Sequence, residues 1–422
     1  MLPFSKELTV IRSNLRPVAI SFAIVLAAPI SAFALESYVL EDVRLETPAN
    51  KTSILLKRVE FVDTNLTRAE AQQLFSLDAE RGVQTALVAK AQAKRVFVPE
   101  IVIEPKGERT GLITLRGYEV NDLDRGRFAK VSLTSIDGAA TDKAGAGTIK
   151  SGPIILEQGD FGRIINAVKD GDFTNGVAQL GKFSWTGFEL VVPDPKAPPG
   201  GQMKFTLASL VGSNTYDGDL PVTMKAEAKN FTFEPAKNSE VGQNLTKFGY
   251  DKLDMGMTIS GSYDVAKKAY TLTDYSLTGV NAGVLTLSGL FGNIDRNALL
   301  GDRMTRLSGL MQGDVSEFTI RFVNQGLFDK ALAYYAASVN RPPADIKGEW
   351  SVAATGMLPM LLGGDPSALK LAEAITTFLR DPKSLTVTLK GKNGPVRFME
   401  AAQIRDPATF MQKVNVTATA NQ

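Results

Sequence analysis

The sequence predicts an α+β fold dominated by β structure: a large curved antiparallel sheet of meanders, with amphipathic helices packed on one face. Two observations support this prediction. Apolar and polar residues alternate with period two in many segments, which is typical of strands with one buried face. Segments with helical spacing stand between them and supply a cover for the apolar face. Sheets with one solvated face are mostly antiparallel.

The clearest strand extends from Met255 to Tyr263, where apolar residues alternate with glycine, serine and threonine. A turn at 264–268 follows, the alternation resumes at 270–273, and a third strand contains Leu285 and Leu287. Three strands joined by short turns predict an antiparallel meander. The same alternation predicts further strands at 203–207, 222–229, 318–322, 385–390 and 414–417.

The first helix is predicted from a capping box at Thr67 to Glu70, in which the threonine and glutamate side chains satisfy free backbone N–H groups. This helix is expected to continue to about Leu77. Four further helices are predicted at 79–95, 161–168, 326–340 and 366–379.

The N-terminus has the three parts of a secretory signal. Three basic residues stand among the first sixteen, an apolar run covers 18–28, and Ala32-Phe33-Ala34 precedes an expected cleavage site before Leu35. Residues 1–34 are therefore predicted to be a signal peptide and the mature chain to be periplasmic. The alternative is an uncleaved N-terminal membrane anchor that leaves the protein facing the periplasm.

The remainder is predicted to contain two regions. Residues 35–195 form a β-rich region with helices, and residues 201–422 form an antiparallel meander with helices. The proline- and glycine-rich segment 193–201 lies between them and is predicted to be a linker. The alternative interpretation is one continuous domain in which this segment is a long hairpin loop.

The chain has no histidine and no cysteine, which excludes several classes of chemistry. Catalytic relays through imidazole or thiolate, metal sites built from those groups, and disulfides are all impossible. Exported eukaryotic proteins usually carry disulfides, so a bacterial envelope protein is favoured. No cofactor is predicted.

The charge balance gives no reason to expect a nucleic-acid partner. Residues 1–34 hold three of the 47 basic and one of the 45 acidic residues, so residues 35–422 hold 44 of each. A neutral chain has no long-range attraction for a polyanion. No later segment approaches the length of a membrane span, so no transmembrane segment is expected after signal cleavage.

Two short patterns suggest chemistry. Ser367 and Lys370 match the Ser-x-x-Lys pattern of serine β-lactamases and penicillin-binding proteins, in which lysine takes the serine proton. The segment 170–176 partly matches a calcium-binding loop, but its glycine is displaced and the final glutamate is missing. We interpret 170–176 and 122–127 as turns. The glycine-containing segment 143–147 lacks the Gly-Lys-Ser/Thr end that a phosphate-binding loop needs.

Methionine and other flexible apolar residues recur on the inward strand faces, and such surfaces adapt to varied hydrophobic ligands. The residues predicted to line a ligand site are Met255, Met257, Ile259 and Leu285. The competing interpretation is that they are core residues packed against helices.

The C-terminal half resembles uncharacterised exported proteins of alphaproteobacteria. The resemblance rests on the meander at 250–293, the segment 322–329, and the segments Phe378 to Pro382 and Asp406-Pro407. It implies no activity, substrate or catalytic residue. In overall architecture the chain is loosely similar to envelope proteins of the AsmA and YdgA type, some of which form curved sheets implicated in lipid handling.

Three functional hypotheses follow. The first is a non-enzymatic periplasmic protein that binds a lipid, another hydrophobic ligand or an envelope partner. The second is a scaffolding or interaction protein of the cell envelope without a small ligand. The third is a hydrolase that uses Ser367 and Lys370, or a pair of carboxylates.

Overall fold

A computed structural model describes residues 35–47, 52–75, 81–105, 110–164 and 179–422. Of the described residues, 52% lie in strands and 28% in helices, which confirms the predicted β-dominated α+β class with a large antiparallel sheet. The predicted signal peptide lies outside the described residues.

The chain divides into two compact units. Among the described residues, unit 1 comprises those up to 195 and 209–214, and unit 2 comprises 196–208 and 215–422. The first change of unit along the chain follows Pro195, within the proline- and glycine-rich segment. The assignment of 35–195 and 201–422 as separate domains stays a prediction.

The eighteen strands within the described ranges have the following bounds, in chain order: β1 Glu36–Thr47, β2 Thr52–Thr64, β3 Gln92–Pro105, β4 Thr110–Asp124, β5 Arg127–Leu133, β6 Ser135–Asp142, β7 Gly145–Ser151, β8 Ile154–Asp160, β9 Lys182–Pro193, β10 Gln202–Asp217, β11 Leu220–Glu234, β12 Leu253–Asp264, β13 Ala269–Gly279, β14 Gly283–Gly292, β15 Asp314–Asn324, β16 Ser384–Gly391, β17 Val396–Arg397 and β18 Val414–Ala420.

The helices with defined bounds are α1 Arg68–Leu74, α2 Arg81–Lys90, α3 Glu240–Lys247, α4 Arg296–Leu300, α5 Arg303–Met311, α6 Leu327–Ser338, α7 Pro343–Leu361, α8 Pro366–Arg380, α9 Phe398–Gln403 and α10 Pro407–Lys413. The predicted helices at 326–340 and 366–379 are confirmed as α6 and α8. Residues 161–164 are helical, and the rest of the helix predicted at 161–168 lies outside the described residues.

Unit 1 contains a fully buried core. Strands β1 to β4 pair antiparallel in chain order, and Leu56 of β2 pairs directly with Ile101 of β3. Both side chains have 0% exposure, and Ala71 of α1 and Leu87 of α2 belong to the same cluster. Helices α1 and α2 are therefore among the elements that bury the apolar face of these strands.

The capping box that predicted α1 is confirmed. The Thr67 hydroxyl accepts a hydrogen bond from the backbone N–H of Glu70 at 3.3 Å, and the Glu70 carboxylate accepts one from the backbone N–H of Thr67 at 3.0 Å. The Glu70 carboxylate also pairs with Lys90 at the end of α2. This pair ties the two covering helices together.

The prediction of a single helix over 79–95 is wrong in its last third. Helix α2 ends at Lys90, and β3 begins at Gln92. Asn65 marks this change, because its side-chain amide donates to the carbonyl of Lys90 at 2.7 Å and accepts from the N–H of Gln92 at 2.8 Å. The next residues are rich in valine and isoleucine, which favour strands.

Unit 2 contains the predicted meander. Strands β12, β13, β14 and β15 pair antiparallel in sequence order, and β11 and β16 extend the sheet on either side. Helices α8 and α10 cover the β16 and β18 end, where Ala368, Met411 and Val416 form a buried cluster. A second cluster around Tyr263 and Ile294 covers one end of the central strands.

Helix α7 has no counterpart among the sequence predictions, although it is nineteen residues long. Its apolar residues lie on all sides, so they show no helical period. Glycines at 348 and 356 and a proline at 359 further weaken the helical signal.

Candidate functional site

The candidate site lies on one face of the unit 2 meander, which we call the apolar face. Its rows run across the strands because residues paired between neighbouring strands point to the same side. One row joins Met257, Leu277, Leu285 and Phe322 through successive pairings. The next row consists of Ile259, Tyr275, Leu287 and Ile320.

The other side of the same strands is the polar face. Thr258, Ser276 and Thr286 form a row there, and the hydroxyl oxygens of Ser276 and Thr286 are 3.0 Å apart. The alternation predicted from sequence thus separates a hydroxyl-bearing face from an aliphatic face.

Helices cover the apolar face only in part. Met255 is 38% exposed, Leu277 40% and Ile320 36%, whereas paired residues of the unit 1 core have 0% exposure. Met257, Ile259, Leu285 and Leu287 are half-buried. Exposed apolar surface in contact with water is unfavourable by about 25 cal/mol per Å². Binding of an apolar group to this face would therefore be favourable, because it would remove exposed apolar surface from water.

A cavity of about 310 Å³ opens on the apolar face. Its walls come from α3 and the segment after it, from the tips of β12, β13 and β14, and from the start of α6. The apolar side chains that define it include Phe248, Met255, Leu277, Leu285, Phe322 and Leu327. We call it the apolar cavity, and its volume is at the lower end of the usual range for small-ligand sites.

Two glycines create this space. The row that begins at Met255 continues through Gly279 and Gly283, which place no side chains on the sheet. Gly283 has a φ of +144°, and a Cβ there would lie 2.2 Å from the carbonyl oxygen of Val323. A side chain is therefore excluded at this position, and the leucines of the adjacent row become the walls of the cavity.

The four residues predicted to line a ligand site do not all meet in one place. Met255 and Leu285 line the apolar cavity. Met257 lines a neighbouring, more polar cavity of about 420 Å³ together with Glu227 and Lys229, whose side chains pair at 3.1 Å. Ile259 lies in the next row of the apolar face and lines neither of these two cavities.

A third cavity of about 500 Å³ adjoins the apolar cavity and shares Phe248 as a wall. Lys247 and Lys330 line it, together with one face of α6 that includes Tyr334. The rings of Phe248 and Tyr334 are 5.1 Å apart. We call this the lysine cavity. No local sequence pattern indicates this cavity, because its residues come from helices about eighty positions apart.

The Ser-x-x-Lys pattern is built differently from a catalytic pair. The Ser367 hydroxyl donates to the Asp365 carboxylate at 2.6 Å, and Lys370 is exposed. Lys392 also donates to Asp365 at 2.6 Å, and these two hydrogen bonds, with Lys392 the larger cause, lower the pKa of Asp365 to about 2. Within the described residues no hydrogen bond joins Ser367 to Lys370.

The predicted turn at 122–127 connects β4 to β5, with residues 125 and 126 between the two strands, and the segment 143–147 leads from β6 into β7. The calcium-like segment at 170–176 lies outside the described residues. In the described part of the chain, no three Asp or Glu side chains are grouped so that they could hold a metal ion. None of the helices there combines the length and apolar character needed to cross a bilayer.

Part of unit 2 matches a family model. A family model described as "Uncharacterized protein" matches residues 276–421. This stretch includes β14, β15 and the helices α6 to α8. No curated protein matches the chain.

Proposed function

We propose that this protein is a non-enzymatic envelope protein that binds a lipid or another hydrophobic ligand in the apolar cavity of unit 2. The observation that carries the proposal is the half-open apolar face, where Met255 and Leu285 line a cavity of about 310 Å³. The apolar walls would exclude water around an aliphatic chain, and burial of each methylene group contributes about 0.8 kcal/mol.

The location in the periplasm is part of the proposal. It is supported by the signal-like sequence at 1–34 and by the absence of cysteine, which fits a bacterial exported protein without disulfides. A lipid carrier in that compartment needs an apolar site that is accessible from water, and a partly covered sheet face meets this requirement.

The test measures whether the purified protein retains a lipid and how tightly the empty protein binds a hydrophobic dye. Protein purified from its native envelope is examined by native mass spectrometry for a bound lipid, and the empty protein is titrated with Nile red. The variant Leu277→Trp places a large ring on the cavity wall at an exposed position. We expect it to weaken Nile red binding by about tenfold or more, which corresponds to 1.4 kcal/mol.

Leu112→Trp is the matched control. Leu112 is an exposed strand leucine in unit 1, with 47% exposure against 40% for Leu277, and it lines none of the three cavities described above. The control should bind Nile red like the wild type, and both variants should keep the wild-type melting temperature. Equal binding by the wild type and Leu277→Trp would exclude this cavity as the site.

A scaffolding function is the second candidate, and one observation favours it. Helix α7 exposes Val352 and Met360, each at 72%, and its Met357 and Leu361 are exposed as well, as is Leu369 of α8. An apolar surface of this kind, without depth, marks protein interaction sites. Val352→Asp combined with Met360→Asp should abolish co-purification of an envelope protein if this surface is used, while Nile red binding stays unchanged.

A further inference from the structure

We propose that the ligand of the apolar cavity is a single-chain anionic amphiphile of the fatty-acid class, whose carboxylate is bound by Lys330, with support from Lys247. This inference rests on the proposed function, because it assigns a headgroup to the ligand of that same site. The chain would occupy the apolar cavity and the carboxylate the lysine cavity.

Lys330 lies where the two cavities meet. Its side chain lines the lysine cavity, and its ammonium nitrogen is 3.4 Å from the centre of the Tyr250 ring, which lines the apolar cavity. Phe248 lines both. A molecule that extends from one cavity into the other therefore passes this ammonium group.

The position of Lys330 is fixed by its neighbours. Its aliphatic stem packs over Gly249, where a Cβ would lie 3.4 Å from the Lys330 Cδ, and Gly249 has a φ of +81°. The Tyr250 hydroxyl donates to the carbonyl of Asn281 at 3.0 Å, which fixes the ring beneath the ammonium group. The cation is thus held in place before any ligand arrives, which lowers the entropy cost of binding.

Lys330 lacks a counter-ion in the described part of the chain. Lys57, Lys268 and Lys392 each pair with a carboxylate at 2.7 Å or less, but neither Lys330 nor Lys247 has a carboxylate within ion-pair distance among the described residues. Lys330 is also half-buried. A partly desolvated cation without an anion is the electrostatic complement of an anionic headgroup.

The lining of the apolar cavity is not expected to repel an anionic amphiphile electrostatically. Asp254 is the one carboxylate-bearing residue on its lining, but it alternates with Leu253 and Met255 along β12, so its side chain points to the polar face. There its carboxylate accepts a hydrogen bond from the Asn230 amide at 3.4 Å. The cavity volume of about 310 Å³ has room for one chain rather than for a two-chain lipid.

The test compares three probes with the same ten-carbon chain and different headgroups: decanoate, decanol and decyltrimethylammonium. Binding is measured by calorimetry at a pH near 8, where the carboxylic acid is ionised. We expect the wild type to prefer decanoate over decanol by about tenfold or more, because charge-assisted hydrogen bonds are about twice as strong as neutral ones. Decyltrimethylammonium should bind more weakly than decanol.

Substitutions of the two lysines test whether they cause the preference for decanoate over decanol. Lys330→Met should remove most of the preference for decanoate and leave decanol binding unchanged, and Lys330→Arg should restore it. Lys247→Met should give a smaller loss, because this lysine is exposed. The control is Lys225→Met, since Lys225 pairs with Ser260 in the sheet and is exposed on the polar face. It should behave like the wild type.

The outcomes separate this inference from the proposed function. If none of the three probes binds, the proposed function fails, and this inference fails with it. If decanol and decanoate bind equally to the wild type, the headgroup assignment is overturned while the hydrophobic site stands. If decanoate is preferred even after Lys330→Met and Lys247→Met are combined, the lysine cavity is not the headgroup site.

Discussion

The ammonium nitrogen of Lys330 lies 3.4 Å from the centre of the Tyr250 ring, so α6 and the segment after α3 are joined by a cation–π contact. Lys330 lines the lysine cavity and Tyr250 lines the apolar cavity, so this contact connects the linings of the two cavities. Burial raises the pKa of Tyr250, and its hydroxyl stays a neutral hydrogen-bond donor to the carbonyl of Asn281.

The strength of this contact can be measured with a double-mutant cycle of Tyr250→Leu and Lys330→Met. We expect a coupling of about 0.5–1 kcal/mol in the free energy of unfolding, since Lys330 is only half-buried. Tyr250→Phe keeps the ring and loses one hydrogen bond, so it should cost about 0.5–1.5 kcal/mol without abolishing the coupling. Tyr250→Leu combined with Lys225→Met should show additive effects.

The two sheet faces should respond differently to truncation. Ile101→Ala in unit 1 should destabilise the protein by about 2–5 kcal/mol, because its side chain is fully buried and leaves a cavity. Ile259→Ala on the apolar face of unit 2 should cost less than about 2 kcal/mol, because water already reaches this side chain. Urea unfolding, followed by tryptophan fluorescence and circular dichroism, measures both.

Equal and large losses for these two isoleucines would mean that the apolar face is sealed in solution, and the ligand site would then lose its physical basis. Val59→Ala in unit 1 serves as a second fully buried position, and Leu287→Ala as a second half-buried one. Agreement within each pair would show that the difference belongs to the faces and not to single residues.

The capping box at the start of α1 offers a local test. Thr67→Ala removes the hydroxyl that accepts from the N–H of Glu70, and it should cost about 0.5–2 kcal/mol of stability. Thr67→Ser keeps a hydroxyl at the same place and should cost little. If the alanine and serine variants are equally stable, the capping hydrogen bond contributes nothing measurable.

The structure could be predicted from the sequence where the signal is local. The alternation from Met255 to Tyr263 placed Met257 and Ile259 on one face, and the structure has them on paired positions of the apolar face. The capping box placed the start of α1 at its observed residue. Both depend on neighbours within a few positions, so one segment of sequence contains the whole signal.

The structure could not be predicted where its cause lies far away in the chain. The side chain of Asn65 caps the end of α2 at the carbonyl of Lys90, about twenty-five positions away in the chain. No pattern within 79–95 indicates this contact. The apolar cavity depends on the register that aligns Gly279 with both Met255 and Gly283. Register is set by the whole sheet, and a shift by one residue would reverse the faces.

The last prediction concerns the pH dependence set by Asp365. Hydrogen bonds from Lys392, and then from Ser367, lower the pKa of Asp365 from 3.8 to about 2 in the folded protein. A carboxyl group with a lowered pKa stabilises the fold above its unfolded pKa, and this contribution is lost as the pH falls through the folded pKa. Asp365→Asn should therefore be less stable than the wild type at neutral pH, with the difference shrinking between pH 3.8 and about 2.

Urea midpoints of both proteins across this range measure the effect. Asp251→Asn is the matched control for the loss of one surface carboxylate, because Asp251 is exposed and forms no hydrogen bond or ion pair among the described residues. Lys392→Met should reproduce most of the Asp365→Asn behaviour, since Lys392 is the larger cause of the lowered pKa. A constant difference for Asp365→Asn over the whole range would contradict the ion pair that anchors the start of α8 to the residue after β16.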